Sequence, residues 1–89
     1  MNKSKSTCEA YDWGNSCKGW HLVKNEKFSV IQELMPAHTE ENFHKHEHAQ
    51  QLFFILKGTA SFIVGNENYT ILQNESIHIE SGKLHKISK

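Results

Sequence analysis

Hydrophobic residues in this chain fall into short runs, and polar segments with Gly, Asn and Ser separate the runs. Runs of this length with β-branched and aromatic residues predict strands. None shows a 3.6-residue period with helix caps, so no helix is expected. Seven strands are predicted, at residues 20–23, 28–34, 51–57, 59–64, 69–72, 77–79 and 84–87. Short strands at turn spacings of about 8–12 residues predict an all-β sandwich or barrel.

The turns divide the chain further. Gly65-Asn66-Glu67-Asn68 between two apolar runs predicts a hairpin. Pro36 ends the run at 28–34, because proline cannot donate to a central ladder. Residues 1–7 are a polar tail, and residues 8–20 contain two Gly, two Trp and two Cys, so we expect residues 1–19 to form an irregular N-terminal arm that packs by its aromatics. Residues 20–89 are then expected to form one domain.

The run at 51–57 is apolar on both of its faces. Side chains alternate along a strand, so Phe53 and Ile55 share one face with Gln51. The opposite face carries Leu52, Phe54 and Leu56. We expect Phe53 and Ile55 to line a pocket, and the opposite row to be buried by other strands or by a second subunit. The alternative is that both faces belong to an ordinary core.

Histidine is unusually frequent: seven of 89 residues, four of them between positions 38 and 48. On a strand, His44 and His46 point to the same side about 7 Å apart, and both can reach one ion at about 2.1 Å. His48 would lie about 13 Å from His44, so further ligands must come from elsewhere. The alternative is a solvated polar loop.

Charge and composition exclude several classes of function. The formal net charge is zero, which argues against nucleic-acid and anionic-membrane partners. All ten basic residues are lysines, so no arginine clamp for phosphate or carboxylate is present. No apolar run approaches the roughly 20 residues of a membrane span. Without a signal segment, we expect a cytoplasmic protein with reduced Cys8 and Cys17, a disulfide between them being the alternative.

The order of several residues is more specific than any one of them. His44-x-His46 is followed after four intervening residues by Gln51 and after six more by Gly58, and two residues separate Gly82 from His85. This order resembles the two motifs of the cupin superfamily. The stretches WGNSCKGWHLV, SVIQELMPAHTE and HEHAQQLFFILKG further resemble small single-domain cupins that are generally bacterial. The resemblance implies a small cupin-type double-stranded β-helix, or jelly-roll, barrel.

The resemblance also implies a metal site. Its ligands would be His44, His46, Gln51 and His85, around one divalent transition metal ion: Zn, Ni, Cu, Mn or Fe. Gln51 stands where the family usually has glutamate, and a neutral amide should weaken metal binding and make the ion a stronger Lewis acid. Three histidines without a carboxylate favour Zn, Cu or Ni slightly. His38 is expected at the pocket mouth. Four glutamates are candidates for a general base, and nothing singles one out: Glu33, Glu40, Glu41 and Glu47.

The implied function is that of a metal-dependent enzyme of the isomerase, dioxygenase or lyase type, acting on a small organic molecule. Two alternatives stay open: a non-catalytic module that binds or senses a small ligand such as a sugar, and a vestigial site. Related chains continue into at least one more strand. We therefore expect the strand at 84–87 to present an open edge, and a homodimer or an exchanged strand to cover it together with Leu52, Phe54 and Leu56.

Overall fold

The computed structural model describes the whole chain, Met1–Lys89, and consists of strands, turns and irregular segments. It contains no helix, and so none long and apolar enough to cross a membrane. Eight strands are present: β1 (Ala10–Trp13), β2 (Cys17–Lys24), β3 (Ser29–Leu34), β4 (Gln51–Phe54), β5 (Ala60–Val64), β6 (Glu67–Ile71), β7 (Ser76–Ile79) and β8 (His85–Ser88). All seven predicted strands are confirmed, with bounds that shift by up to three residues.

The chain divides into two compact units, Met1–Thr39 and Glu40–Lys89. The first is an antiparallel sheet in the order β1-β2-β3. The expectation of an irregular arm is therefore wrong for residues 10–13 and 17–19, which are strand. Tyr11 pairs with Gly19, which has no side chain and leaves room for the tyrosine ring, and that ring stacks on His21 at 4.9 Å. This cross-strand packing is invisible in the local hydrophobic pattern. The predicted boundary at residue 19 stays a prediction.

The second unit contains a two-stranded sheet, β4-β7, and a three-stranded sheet in the order β6-β5-β8. The predicted hairpin joins β5 to β6 through a two-residue loop, Gly65-Asn66, with φ of +60° at Gly65. β5 is the central strand of its sheet. Its Phe62 is fully buried and pairs with Tyr69 on one side and Ile87 on the other. The other buried apolar residues of this unit are Ile55, Ala60, Ile71, Ile79 and Ile87.

β4 is shorter than predicted, but the predicted alternation along this segment is confirmed. Pairing with β7 runs from Gln51 to Phe54, and the Ile55 N–H then donates to the carbonyl of Glu75, just before β7, at 2.9 Å. Gln51 and Phe53 are half-buried and Ile55 is buried. The other row is exposed, by 66% at Leu52, 53% at Phe54 and 61% at Leu56. The expectation that strands of the same chain bury this row is wrong.

The expectation of an open edge at the last strand is also wrong. β8 pairs with β5 on one side, and on the other side the segment Glu40 to His44 (the 40–44 segment) lies antiparallel to it. The His44 N–H donates to the His85 carbonyl at 3.0 Å, and the His85 N–H donates back at 2.9 Å. The Glu41 N–H donates to the Ile87 carbonyl at 3.1 Å. A stretch without strand-like apolar alternation thus takes the place of the expected neighbouring strand.

Candidate metal centre

The pairing of the 40–44 segment with β8 brings two predicted ligands together. His44 and His85 lie directly opposite each other, and their ring centroids are 4.3 Å apart. His85 is 1% exposed, whereas the His44 side chain is 35% exposed. The two residues are 41 positions apart in the sequence. One imidazole is therefore buried, and the other reaches it from the partly exposed side.

The buried imidazole of His85 has one occupied and one free nitrogen. Nδ1 lies 2.9 Å from the carbonyl oxygen of Lys83. A carbonyl can only accept, so Nδ1 carries the proton and the buried Nε2, which has no partner, carries a lone pair. Burial lowers the pKa of His85, and the nearby His44 and His46 lower it further against the opposing effect of the Lys83 carbonyl. His85 is thus held in the neutral form that a metal ligand needs.

His44 is oriented in the same way. Its Nδ1 donates to the carbonyl oxygen of Asn42 at 3.0 Å, which leaves Nε2 as the free nitrogen. Metal-ligating histidines almost always donate their other ring N–H to a carbonyl, a carboxylate or water, which fixes tautomer and ring orientation. Both histidines therefore have the second hydrogen bond expected of metal ligands.

Glu41 joins these histidines, although sequence reasoning did not distinguish it from three other glutamates. Its Oε1 accepts a hydrogen bond from the Ile87 N–H at 3.2 Å and lies 3.8 Å from His44 Nδ1. Burial raises the pKa of Glu41, while His44 and the Ile87 N–H lower it. Ligand atoms of Glu41, His44 and His85 lie within 4.8 Å of one another, so this group could hold a metal ion. Only the pairing with β8 identifies Glu41.

His46 lies beside this group and His48 does not. The His46 ring centroid is 5.3 Å from that of His44 and 6.2 Å from that of His85. Its carbonyl accepts a hydrogen bond from the Gly82 N–H at 2.6 Å, which ties this part of the chain to the turn before β8. The side chain itself is exposed, as is that of His48. The assignment of His46 as a ligand stays a prediction.

Gln51 begins β4, and its Oε1 is buried without a hydrogen-bond partner. A buried polar atom without a partner costs about 1–3 kcal/mol, so each such atom needs a reason. In the second unit the two atoms of this kind are Gln51 Oε1 and His85 Nε2, both electron-pair donors suited to a metal ion. These two residues therefore fit a metal site, and the role of Gln51 as a ligand stays a prediction.

The predicted pocket residues are only partly connected to this centre. Phe53 lies near it, with its ring centroid 6.4 Å from His85 and 5.1 Å from Phe62. Ile55 is buried. His38 belongs to the first unit, where it is exposed with φ of +65°. A cleft of about 340 Å³ lies elsewhere, at the β5–β6 hairpin, lined by Val64, Gly65, Asn66, Glu67, Tyr69 and Lys83. The pocket roles of Phe53, Ile55 and His38 stay predictions.

An all-β chain in which two histidines and a carboxylate meet at the edge of one strand is a candidate metal-binding protein. Comparison with known sequences identifies its family. The profile of the cupin domain matches residues 30–89, more than half of the chain, so the chain belongs to the cupin family. It is 25% identical over 67 residues to the uncharacterized protein MJ1618 of Methanocaldococcus jannaschii. That match covers 75% of this chain and 54% of the relative, so the chain spans about half the length of the curated relative it matches.

Solved structures share the fold at low sequence identity. A predicted oxalate decarboxylase of Thermotoga maritima superimposes with a TM-score of 0.90 at 19% identity, covering 100% of this chain and 87% of that one. KdgF of a Halomonas species gives 0.89 at 9% identity, covering 99% and 82%. An RmlC-like cupin of Shewanella frigidimarina gives 0.84 at 18% identity, covering 98% and 82%. These similarities establish the all-β cupin fold that the motif spacing predicted.

Proposed function

We propose that this cupin is a metal-dependent enzyme that acts on a small organic molecule, with its metal ion held by His44 and His85. The observation that carries the proposal is the free, buried Nε2 of His85 opposite His44. A neutral imidazole with a buried, unpartnered lone pair is costly unless a ligand or ion uses it. His46 and Gln51 complete the proposed ligand set.

The residues around the ion have separate tasks in this proposal. The carbonyls of Asn42 and Lys83 fix the tautomers of His44 and His85, so that both Nε2 atoms stay free. Phe53 provides an apolar wall close to His85 and limits the access of water from that side. Three or four protein ligands leave coordination positions for a substrate oxygen on an octahedral ion. When bound, the ion supplies Lewis-acid polarisation of that substrate.

The ion in this proposal is Zn, Ni, Cu, Mn or Fe. Nitrogen donors suit Zn, Cu and Ni, while the nearby carboxylate of Glu41 also suits Mn and Fe. The reaction is of the isomerase, dioxygenase or lyase type. One related structure belongs to a predicted oxalate decarboxylase, so oxalate and other small oxygen-rich carboxylic acids are the first substrates to test.

The experiment uses protein purified without a metal-affinity tag. Elemental analysis is expected to find about one ion per chain, and His44→Ala and His85→Ala are expected to lose it, since each removes one ligand. The metal-loaded protein is then assayed with oxalate and related acids. Turnover that disappears in both variants supports the enzyme. Bound metal without turnover of any substrate would favour a non-catalytic binding cupin, and metal-free protein unaffected by chelators would overturn the metal site itself.

A further inference from the structure

We infer that Glu41 supplies the negative charge of the metal centre, which the neutral amide of Gln51 does not provide. On this inference, the carboxylate of the site comes from the 40–44 segment and not from the start of β4. The inference rests on the proposed metal site, since without an ion there is no charge to compensate.

Two hydrogen bonds with the backbone of Ile87 hold Glu41 and its carboxylate in place. The Glu41 N–H donates to the Ile87 carbonyl at 3.1 Å, and the Ile87 N–H donates to Glu41 Oε1 at 3.2 Å. The side chain is only 17% exposed. Because the adjacent His44 is bridged to His85 along the same strand edge, the carboxylate is fixed beside both imidazoles.

Two other glutamates around the segment are exposed and form ion pairs with lysines, whereas Glu41 is neither exposed nor paired with a lysine. Glu40 is 61% exposed and pairs with Lys86 at 3.3 Å, and Glu47 is 65% exposed and pairs with Lys45 at 3.4 Å. Glu41 has no lysine partner, and its ion-pair neighbour is His44 at 3.8 Å. A half-buried carboxylate without a permanent cation is costly, and a positive charge close by lowers that cost.

His44 cannot provide that charge while it serves as a metal ligand, because a ligating imidazole is neutral. Gln51 is neutral as well, so the predicted set of three histidines and one amide carries no charge against a divalent ion. Bound cations are often the largest charges in a site, and they are stabilised by nearby carboxylates. Glu41 and the ion therefore compensate each other, and Glu41 acts as a positioning residue for the metal through its charge.

The test measures metal affinity by titrating the metal-free protein with Co²⁺ or Zn²⁺. Glu41→Gln keeps the acceptor for the Ile87 N–H and removes only the charge. We expect it to bind about 10- to 100-fold more weakly, the effect typical of losing a partner outside the ligand shell. Glu41→Asp keeps the charge and should retain most of the affinity. Glu40→Gln is the matched control, since it removes a neighbouring exposed carboxylate, and it should bind like the wild type.

Moving the charge back completes the test. In the Glu41→Gln background, Gln51→Glu is expected to restore much of the lost affinity, a result that a purely structural role of Glu41 would not give. Circular dichroism and thermal melting of each metal-free variant verify that it is folded. The inference is overturned if Glu41→Gln binds as tightly as the wild type, if Glu41→Asp loses as much affinity as Glu41→Gln, or if Gln51→Glu gives no recovery. Wild-type protein that binds no metal would overturn the proposed function instead.

Discussion

His85 has the orientation and the neutral form that the proposed metal site requires. Its Nδ1 is engaged by the Lys83 carbonyl, its Nε2 is free, and burial holds the ring neutral by lowering its pKa. The same burial makes the metal-free protein sensitive to acid. The unfolded chain takes up a proton near the ordinary histidine pKa of 6.5, whereas the folded chain does so only at lower pH.

This difference predicts the direction of a pH effect. The stability that neutral His85 gives the metal-free protein is complete above pH 6.5 and is lost as the pH falls from there towards the lowered folded pKa. One proton limits the slope to about 1.4 kcal/mol per pH unit. Glu41 acts in the opposite direction, because its raised pKa makes its contribution fall as the pH rises above 4.5.

His85→Phe separates the two effects, since it removes one titrating group and keeps a ring in the buried position. Urea unfolding between pH 7.5 and pH 5 is expected to show wild-type stability falling relative to the variant. Parallel pH profiles for the two proteins would show that His85 is not held neutral by the fold.

His46 and His48 offer a matched pair of substitutions two residues apart. His46→Ala is expected to weaken metal binding by at least about 10-fold, because a lost ligand should cost no less than a lost outer-shell partner. His48→Ala should leave binding unchanged. Both side chains are exposed, so neither change disturbs the core. Titration with Zn²⁺ measures both variants, and equal affinities would remove His46 from the ligand set.

The predictability of the site differs from residue to residue. The cupin resemblance that the motif spacing carries indicated His44 and His85, and the structure places their ring centroids 4.3 Å apart. Glu41 could not be found in this way, because the choice among four glutamates depends on which of them lies against β8. The pairing that decides this joins positions 46 apart, between Glu41 and Ile87, and leaves no local pattern in the sequence.

At the scale of elements, the centre depends on how the 40–44 segment attaches to β8. Backbone hydrogen bonds from Glu41 and His44 hold it there, and the segment has no strand of its own. Such a short irregular pairing is expected to open more readily than the ladder between β5 and β6. An ion that joins His44 to His85 would connect the segment to β8 a second time.

Hydrogen exchange tests this coupling. Adding Zn²⁺ to the metal-free protein is expected to slow exchange at four amides that donate hydrogen bonds between the 40–44 segment and β8: those of Glu41, His44, His85 and Ile87. The Ile87 N–H donates to the Glu41 side chain, and the other three donate to backbone carbonyls. Ligand that binds only the closed form stabilises it by mass action. Amides of the β5–β6 hairpin serve as the internal control. Protection that rises equally throughout the chain, or nowhere, would contradict a local role for the ion.

Strands with a clear apolar pattern were predictable, and those that depend on distant partners were not. The runs that became β5 and β7 differ from their predicted bounds by one residue. β1 was missed because it is only four residues long and its Tyr11 packs over Gly19 on the next strand, a contact that the local sequence does not indicate. β4 was predicted too long because its apolar run continues past Phe54, where hydrogen bonding passes to the turn at Asn74 and Glu75.

At the scale of the whole molecule, Leu52, Phe54 and Leu56 form an exposed apolar row that nothing in the isolated chain covers. Contiguous exposed apolar residues commonly mark protein interfaces. The predicted homodimer was expected to cover both this row and the edge of β8. Because β8 is already paired, only the row is left for the partner to cover. Sedimentation velocity is expected to show a dimer that the double variant Leu52→Ser, Phe54→Ser converts to monomer, with Leu72→Ser as an exposed-leucine control. A monomeric wild-type protein at high concentration would exclude the dimer.

The family and fold of the whole chain followed from a few spacings because each motif residue has a fixed place relative to a turn. Gly58 and Gly82 adopt φ of +84° and +81°, which most other residues avoid, and they fix where the neighbouring strands begin. The proposed reaction did not follow, because it depends on the identities of the substrate and of the ion.

The central claim is that one metal ion binds between His44 and His85. Anomalous diffraction from crystals of untagged protein, recorded at the absorption edge of the metal found by elemental analysis, tests this directly. We expect one peak about 2.0–2.1 Å from Nε2 of both His44 and His85 if the ion is zinc, and similarly close to both nitrogens for the other candidates. A peak that contacts neither imidazole, or no peak in protein that contains metal, would contradict the account.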